Sequence, residues 1–273
     1  MCYIPSVRKL EISNRPEEFA KRGMPLIVAH RGARREAPEN TLPAIERAVE
    51  LRADGVEFDV LLTQDKVPIV THNDDLSVLT HHRGYAHSTP FATIRSLDVG
   101  SHFNASFSGV TMPTLAEALE LLEHRDMLTI VEIKPQPSMA ISAAELIGGI
   151  VADFRMKGRI VLSSSSLRVL YALKRRHPEL TRAFIARRAF LSFAGSTILN
   201  RPLGISELHC SLTSLSPESV SRVQRRGGGV LAWTANTPDE MDHCIALNVD
   251  GIITDDTAFA RRHLEENLGM TGR

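Results

Sequence analysis

Cysteine is scarce in this 273-residue sequence, and long apolar runs are absent from it. The three cysteines, Cys2, Cys210 and Cys244, are an odd number without metal-type spacing. We therefore expect no disulfide framework, and a reducing compartment fits better. No apolar run approaches the roughly 18 residues that a membrane span needs, and residues 1–22 lack the apolar core of a signal peptide. The sequence predicts a cytoplasmic protein without stable membrane association.

An excess of charge of one sign is absent as well. Lys plus Arg and Asp plus Glu number 32 each, which leaves a formal net charge of zero. Nucleic-acid binders usually carry a basic surplus on one face, so the composition argues against a nucleic-acid partner. Apolar residues make up 43% and charged residues 23% of the chain, as is typical of a globular protein with a sizeable core. The composition indicates no particular oligomeric state.

Short apolar runs alternate with helical patterns almost to the end of the chain. Strands are predicted at 26–30, 56–62, 128–133, 160–163, 182–186, 207–211, 230–234 and 251–254. The extended piece at 67–72 is predicted to be a hairpin arm. Alternation of this kind indicates βαβ units around a parallel sheet. Eight strands favour a TIM (β/α)8 barrel, in one domain spanning 1–273. The competing architecture is a doubly wound open sheet. It would normally carry a Gly-rich phosphate loop after its first strand, and the segment that begins at His30-Arg31-Gly32 is not such a loop.

Cap residues mark several of the predicted helices. Asn40 is the expected N-cap of a helix over 41–53, and Thr114 with Glu117 forms a capping box. Glu240 completes a second box with Thr237. The stretch 73–113 breaks the alternation and is rich in histidine and aromatic residues. Because loops of this length are usually functional or contain small elements of their own, we predict an insertion over the barrel mouth after the second barrel strand.

Acidic side chains recur near the ends of predicted strands. Glu57 and Asp59 project to one face of a strand, and Glu132 and Lys134 share a face in another. At the carboxyl rim of a barrel these pairs would converge on a common site. Three carboxylates form an oxygen-rich site suited to Mg²⁺ or Ca²⁺ rather than to Zn²⁺. The alternative for any single pair is an ordinary salt bridge, for example between Glu57 and Arg31; recurrence at several strand ends favours the site.

The charge of such a site suits an anionic substrate. The three carboxylates, a divalent ion, Arg31 and Lys134 together carry one positive charge, which a phosphodiester would neutralise. Two histidines, His30 and His72, stand where strand or hairpin ends would expose them. One could deprotonate the attacking oxygen and the other protonate the leaving alkoxide. These residue types therefore indicate phosphodiester cleavage.

The remaining histidines and the single tryptophan are less informative. Six histidines are predicted to be structural: His102, His124, His177, His209, His243 and His263. The roles of His81, His82 and His87 stay open. Trp233 closes a predicted strand and either packs in the core or lines the pocket. Hydroxyls of residues 163–166 either reach the pocket or cap the next helix.

Short motifs in a fixed order make the sequence similar to the glycerophosphodiester phosphodiesterase family, within the PLC-like phosphodiesterase superfamily. The motifs are His30-Arg31-Gly32, Pro38-Glu39-Asn40-Thr41, Glu57-Phe58-Asp59-Val60, Thr63-Gln64-Asp65, Val67-Pro68-Ile69-Val70-Thr71-His72, Pro113-Thr114-Leu115, Glu132-Ile133-Lys134, Trp233-Thr234-Ala235-Asn236 and Asp250-Gly251-Ile252-Ile253-Thr254-Asp255. Each motif alone is weakly specific, but their joint occurrence over nearly the whole chain is highly specific. The resemblance implies a TIM barrel with a small insertion.

The resemblance also implies roles for individual residues. Glu57, Asp59 and Glu132 would bind a divalent metal, and His30 and His72 would form the acid–base pair. Phosphate binding would fall to Arg31 and Lys134, and Trp233 is a further candidate for substrate binding. The family reaction converts a glycerophosphodiester and water into glycerol 3-phosphate and an alcohol.

Two alternatives accompany this reading. Related enzymes cleave lysophospholipid-type diesters, sometimes through a cyclic phosphate, and a barrel that binds diesters without turnover represents another class. Nothing needed for turnover is missing from the motifs, which disfavours the binding protein. The sequence departs from the family pattern at Lys66, where glycine is frequent, and at Asn73, where aspartate is frequent. The proline often found near 256–257 is also missing.

Overall fold

The apolar runs predicted as strands form a closed parallel barrel in the computed structural model, which describes residues 24–136, 138–156, 158–186 and 203–267. The strands are β1 (Leu26–His30), β2 (Gly55–Leu62), β3 (Pro68–Val70), β4 (Leu128–Ile133), β5 (Ile160–Ser164), β6 (Thr181–Ala186), β7 (Glu207–Ser211), β8 (Gly229–Trp233) and β9 (Gly251–Thr254). Eight of them run parallel around the barrel in chain order, and pairing of β1 with both β2 and β9 closes the ring. The short β3 is antiparallel to β2. The predicted TIM barrel and its hairpin arm are confirmed.

Helices connect the strands on the outside of the ring. They are α1 (Leu42–Glu50), α2 (Phe91–Arg95), α3 (Leu115–Leu122), α4 (Ala140–Asp153), α5 (Leu167–Arg176), α6 (Pro217–Gln224), α7 (Pro238–Ala246) and α8 (Thr257–Asn267). The longest described helix, α4, has 14 residues. Within the described ranges no helix has both the length and the apolar character needed to cross a membrane.

The strands are buried on both faces, because helices cover the outside and side chains fill the inside. The inner cluster consists of Leu26, Val28, Leu128, Ile130, Val161, Ala183, Leu231 and Ile253, with Trp233 packed against it. The outer cluster joins the alternate strand residues to the inward faces of the helices. The strand β2, for example, places Phe58 in the outer cluster and Glu57 inside the barrel. This alternation points every second side chain at the barrel axis.

Most helix starts agree with the predicted caps, with one correction. The capping boxes of Thr114 with Glu117 and of Thr237 with Glu240 are present. The prediction for Asn40 is wrong, because Thr41 caps α1 and accepts a hydrogen bond from the Ala44 backbone. Asn40 has a left-handed backbone, with φ of 58°, and its amide makes two long-range hydrogen bonds to Asp59 instead.

The insertion predicted after the second barrel strand is present and has a small core of its own. Residues 73–113 contain α2 and three short 3-10 helices, Leu76–Val78, Ala86–Ser88 and Ala105–Phe107. Their buried side chains cluster with one residue of β3; the cluster comprises Ile69, Leu76, Ala86, Ile94, Val99 and Met112. The insertion therefore has apolar packing of its own, anchored on the hairpin arm.

The turn after β1 depends on a glycine. Gly32 has φ of +79°, and a Cβ atom placed on it would lie 2.6 Å from the backbone carbon of Ala44 in α1. The backbone N–H of Ala33 donates to the Ala44 carbonyl at 2.8 Å, which holds the turn against the helix. Both the backbone conformation and the close approach exclude a side chain at this position.

We expect Gly32→Ala to destabilise the fold by roughly 2–4 kcal/mol, through left-handed strain and overpacking against α1. Gly109→Ala is the matched control, because Gly109 has φ of +85° but no atom within 4 Å of an added Cβ. The control should show the strain alone, about 1–2 kcal/mol. Urea unfolding of both variants measures the difference. Equal losses would show that the close approach to α1 is unimportant.

Candidate active site

Seven of the eight side chains predicted for the site line one cavity of about 180 Å³ at the carboxyl ends of the barrel strands. These seven are His30, Arg31, Glu57, His72, Glu132, Lys134 and Trp233. The eighth, Asp59, is 1% exposed and contacts the cavity wall through ion pairs. The structure therefore brings together residues that are up to 203 positions apart in the chain, from His30 to Trp233.

A larger groove, of about 400 Å³, lies along helices α4 and α5 and is a weaker candidate. Its described lining consists of Ile141, Arg168, Tyr171, Ala172, Arg175 and Arg176. None of these is a carboxylate or an imidazole, the groups that usually bind metals and transfer protons near neutral pH. The cavity at the barrel rim is smaller but holds both kinds of group, and we take it as the candidate site.

Three carboxylates form the acidic centre of the cavity. Glu57, Asp59 and Glu132 each offer an oxygen, and the three oxygens lie within 4.8 Å of one another. Parallel pairing of β2 with β4 places Asp59 beside Glu132, while Glu57 precedes Asp59 by two residues on the same strand. Such a set of oxygen donors is suited to a divalent ion such as Mg²⁺ or Ca²⁺.

Crowding of negative charge shifts the pKa values of these groups. Burial and the neighbouring charges of Asp59 and Glu132 raise the pKa of Glu57 well above its usual range. Burial and Asp59 also raise the pKa of Glu132. Burial would raise the pKa of Asp59 too, but the charges of Lys134 and Arg31 outweigh it, so the pKa of Asp59 is lowered. The raised pKa values mean that the ionised forms of Glu57 and Glu132 are disfavoured here, and a further cation would stabilise them.

Two basic side chains partly balance this charge. Lys134 Nζ lies 3.2 Å from Asp59 Oδ1 and 3.0 Å from Glu132 Oε1. Arg31 Nη1 donates to Glu39 Oε1 at 2.8 Å, and Arg31 Nε lies 3.4 Å from Asp59 Oδ2. That Nε–H is buried, within ion-pair distance, yet not aligned for a hydrogen bond. Salt bridges are therefore present, but both cations also line the cavity, where an anion could contact them.

His30 is oriented by a carboxylate that the sequence reasoning missed. Its Nδ1 lies 2.6 Å from Asp255 Oδ1, at the end of β9. The other oxygen of Asp255 accepts a hydrogen bond of 2.9 Å from the Asn236 amide, and Arg34 Nη1 lies 3.4 Å from Oδ1. Burial opposes the charged form, but His30 and Arg34 outweigh it and lower the pKa of Asp255 to about 2. With Nδ1 engaged, Nε2 is the His30 nitrogen available to the cavity.

His72 follows the hairpin arm and faces the acidic centre. Its Nδ1 lies 3.1 Å from the Asn73 side-chain oxygen. Burial is the largest cause of a lowered pKa for His72, and the positive charges of Lys134 and Arg31 add to it, against the opposite effect of Asp59. The neutral imidazole, which can accept a proton, is therefore favoured near neutral pH.

Other residues missed by the sequence reasoning support the site from behind. Asn40 donates to Asp59 Oδ2 at 2.9 Å and accepts from the Asp59 backbone N–H at 3.1 Å. Glu39 pairs with Arg31 and with Arg34. The motif at 38–41 contains both residues, so a signal was present, but only the distant partners reveal their role. His209, predicted to be structural, lies in the cavity wall.

The serines at 163–166 take both of the roles considered for them, helix capping and lining of the pocket. Ser166 caps α5 by accepting from the Val169 backbone, whereas Ser163 and Ser165 line the cavity.

Residues 73–113, the insertion, are all described, and none of them is among the residues that line the cavity. Phe91 instead packs against the core of the insertion. The insertion adjoins the site through His72, the residue that precedes it.

Comparison with known proteins gives consistent matches over most of the chain. The model of the glycerophosphoryl diester phosphodiesterase family matches residues 30–258. A glycerophosphodiester phosphodiesterase from Caldanaerobacter subterraneus is 31% identical over 231 residues, which cover 85% of this chain and 94% of that relative. The matched range 30–258 includes all eight predicted site residues.

Solved structures resemble the barrel closely. A phosphodiesterase from Oleispira antarctica, determined in complex with the product sn-glycerol-3-phosphate, has a TM-score of 0.83 and 27% identity, covering 89% of this chain and 97% of that one. A glycerophosphodiester phosphodiesterase from Agrobacterium tumefaciens has a TM-score of 0.73 and 26% identity, covering 87% of this chain and all of that one, 100%.

We expect Glu57→Gln to raise the melting temperature measured in EDTA, because it removes one of three crowded charges while keeping the side-chain shape. The folded protein holds the Glu57 proton more tightly than the unfolded chain does. The protonated Glu57 carboxyl therefore stabilises the fold at low pH, and this contribution is lost as the pH rises above about 4, where an unfolded glutamate ionises. The advantage of the variant should grow over the same pH range. Thermal unfolding followed by fluorescence measures it.

Added Mg²⁺ or Ca²⁺ should raise the melting temperature of the unchanged protein, since an ion that binds only the folded state stabilises it. Glu57→Gln should lose most of this response. Glu120→Gln, which removes an exposed carboxylate outside the cluster, serves as the control and should alter neither quantity. A Glu57→Gln protein that is less stable in EDTA and responds fully to the ion would contradict the proposed crowding.

Proposed function

The chain belongs to the glycerophosphoryl diester phosphodiesterase family, and we propose that it hydrolyses small glycerophosphodiesters to glycerol 3-phosphate and an alcohol. The observation that carries this proposal is the meeting of three carboxylates, two cations and the imidazoles of His30 and His72 at one cavity, which all of them except the buried Asp59 line. The relative from Oleispira antarctica, with sn-glycerol-3-phosphate as its product, supports the choice of substrate class.

Glu57, Asp59 and Glu132 are the proposed ligands of a divalent ion, Mg²⁺ or Ca²⁺. Their fit rests on the 4.8 Å spacing of three oxygen donors and on the raised pKa of Glu57, which reflects negative charge not yet balanced by the protein. Asn40 keeps the Asp59 carboxylate in place. A bound ion would supply Lewis-acid stabilisation of the charge that develops on the phosphoryl oxygens.

Arg31 and Lys134 are the proposed phosphate-binding residues. Both line the cavity, and both already face carboxylates at 3.0–3.4 Å. The buried Arg31 Nε–H, which makes no hydrogen bond within the described residues, is a donor that a phosphoryl oxygen could use. Because donors in a buried site are aligned before the reaction, they stabilise developing charge without reorganising.

His30 and His72 are the proposed acid–base pair. One imidazole accepts a proton from the attacking water as the new P–O bond forms. The other donates a proton to the alkoxide oxygen as the old P–O bond breaks, so the alcohol leaves neutral. The carboxylate of Asp255 holds the His30 ring by its Nδ1 atom and directs Nε2 to the substrate. Exchange with solvent then restores both rings.

A small substrate fits the cavity better than a lipid-like diester. The cavity measures about 180 Å³, and no aromatic residue of the insertion, which the structure describes completely, lines it. A barrel that binds diesters without cleaving them is disfavoured as well, because two imidazoles face the same cavity as the cations. Hydrolysis of a small diester uses every group in this arrangement.

Incubation with glycerophosphocholine should release glycerol 3-phosphate and choline in equal amounts. EDTA should abolish the release, and excess Mg²⁺ or Ca²⁺ should restore it, because the ion offsets charge at the phosphoryl group. Enzymatic detection of both products is the measurement. Undiminished activity in EDTA would refute the metal requirement, and release of choline phosphate instead of choline would refute the bond proposed to break.

His30→Ala and His72→Ala should each lower kcat for glycerophosphocholine by about 10²–10⁴-fold, the usual contribution of an acid or base. With glycerophospho-p-nitrophenol, whose leaving group needs no proton, the variant that lacks the general acid should recover most of its rate. The other variant should stay slow. His124→Ala, at an exposed position, is the control. Recovery of both variants, or of neither, would contradict a division of roles between the two rings.

A further inference from the structure

Strand β7 carries a buried carboxylate and a buried imidazole on the side that faces the inside of the barrel. Glu207 and His209 alternate along β7 and are 5% and 2% exposed. Their partners in register on the neighbouring strands are small or apolar: Ala183 and Gly229 beside Glu207, and Ile185 and Leu231 beside His209. Burying a carboxylate and an imidazole is costly when apolar residues would fill the same space. Packing alone does not explain this pair.

The two side chains contact each other inside the barrel. His209 Nε2 lies 3.2 Å from Glu207 Oε2. A carboxylate that engages one ring nitrogen fixes the orientation of the ring and leaves the other nitrogen, Nδ1, for a different partner. His209 belongs to the wall of the candidate cavity, whereas Glu207 lies one layer deeper and does not. The pair therefore presents an oriented imidazole to whatever enters the cavity.

The order of strands places His209 across the barrel from the acidic centre. Counting around the ring of eight, β7 is four strands from β2, which carries Glu57 and Asp59. In the same way β8, which carries Trp233, is four strands from β4, which carries Glu132. A ligand whose phosphoryl group lies at the carboxylates and cations would extend the rest of its structure toward His209 and Trp233.

The wall around His209 is suited to a hydroxylated carbon chain. The indole Nε1–H of Trp233 is buried without a hydrogen-bond partner in the described part of the chain. Ser163, whose hydroxyl donates to the Val131 carbonyl at 3.5 Å, also belongs to the lining. Ile185 and Trp233 provide apolar surface. Ring nitrogens and hydroxyls exchange hydrogen bonds with alcohols, while the apolar surface can contact carbon atoms.

We propose that His209 is a specificity-determining residue that hydrogen-bonds a hydroxyl group of the glycerol moiety, and that Glu207 is a positioning residue acting through the His209 ring. The proposal rests on the proposed function, because it places the phosphoryl group of a glycerophosphodiester at the opposite wall. The His209 contact would make the enzyme prefer polyol diesters over diesters of the same size that lack hydroxyl groups.

The experiment compares ligands with and without hydroxyl groups. In the presence of Mg²⁺, calorimetry should show that the unchanged protein binds sn-glycerol 3-phosphate more tightly than propyl phosphate, which lacks both hydroxyls. The double variant Glu207→Leu/His209→Leu replaces both members of the pair with apolar side chains. It should lose roughly 3- to 10-fold in affinity for glycerol 3-phosphate, as expected for one hydrogen bond, and keep its affinity for propyl phosphate.

Turnover provides a second readout. The KM for glycerophosphocholine should rise in the double variant by a similar factor, while kcat/KM for methyl p-nitrophenyl phosphate should stay within about twofold, because this diester has no hydroxyl to lose. Glu207→Gln, which keeps the shape of the side chain, should shift KM in the same direction by less. His243→Gln, at an exposed position on α7, is the control and should change nothing.

The outcomes separate this proposal from the function on which it rests. If the unchanged protein prefers glycerol 3-phosphate but does not hydrolyse glycerophosphocholine, the proposed function fails and the hydroxyl contact is still decided by the binding of the variants. Equal losses for ligands with and without hydroxyls would overturn the proposal and leave the pair a purely structural role. Should the double variant not fold, Glu207→Gln decides by the same ratio of affinities.

Discussion

Negative charge gathered at one rim of the barrel is the constraint on which the rest of the site depends. Register between β2 and β4 brings Asp59 beside Glu132, and alternation along β2 adds Glu57. Lys134 contacts two of the three carboxylates, Asp59 and Glu132. The pKa of the third, Glu57, remains well above its usual range, so Lys134 does not compensate all of the crowded negative charge. Three carboxylate oxygens placed in this way could bind a divalent cation, and the two basic side chains beside them could contact an anionic group.

Support for these groups comes from the turns that follow the strands, all at the same end of the barrel. The turn after β1 supplies Asn40 to Asp59, and the turn after β8 supplies Asn236 to Asp255, which in turn orients His30. Parallel strands make this arrangement possible, since every carboxyl end opens on the same rim. The charged groups are therefore held by side chains whose own positions are fixed by hydrogen bonds.

Local patterns predicted much of this architecture and missed what depends on distant partners. Strand positions follow from apolar runs, and the predicted capping boxes follow from spacings of three residues. Asn40 has the composition of a cap, but its bonds to Asp59 span 19 positions, and those bonds decide its conformation. Asp255 lies 225 positions from His30. No local pattern signals either contact. The resemblance marked the motifs of Asn40 and Asp255 without giving their partners.

His209 was predicted to be structural, and its place in the cavity wall draws attention to β7. On most strands the inward-facing residues deep in the barrel are apolar, such as Val28 and Ile130. The polar side chains of the candidate site begin at the carboxyl rim. On β7 polarity extends one layer deeper, to Glu207. A carboxylate at that depth has an energetic cost that a barrel core does not require. The orientation of His209 toward the cavity accounts for that cost, because a histidine fixed from below can accept or donate one defined hydrogen bond above.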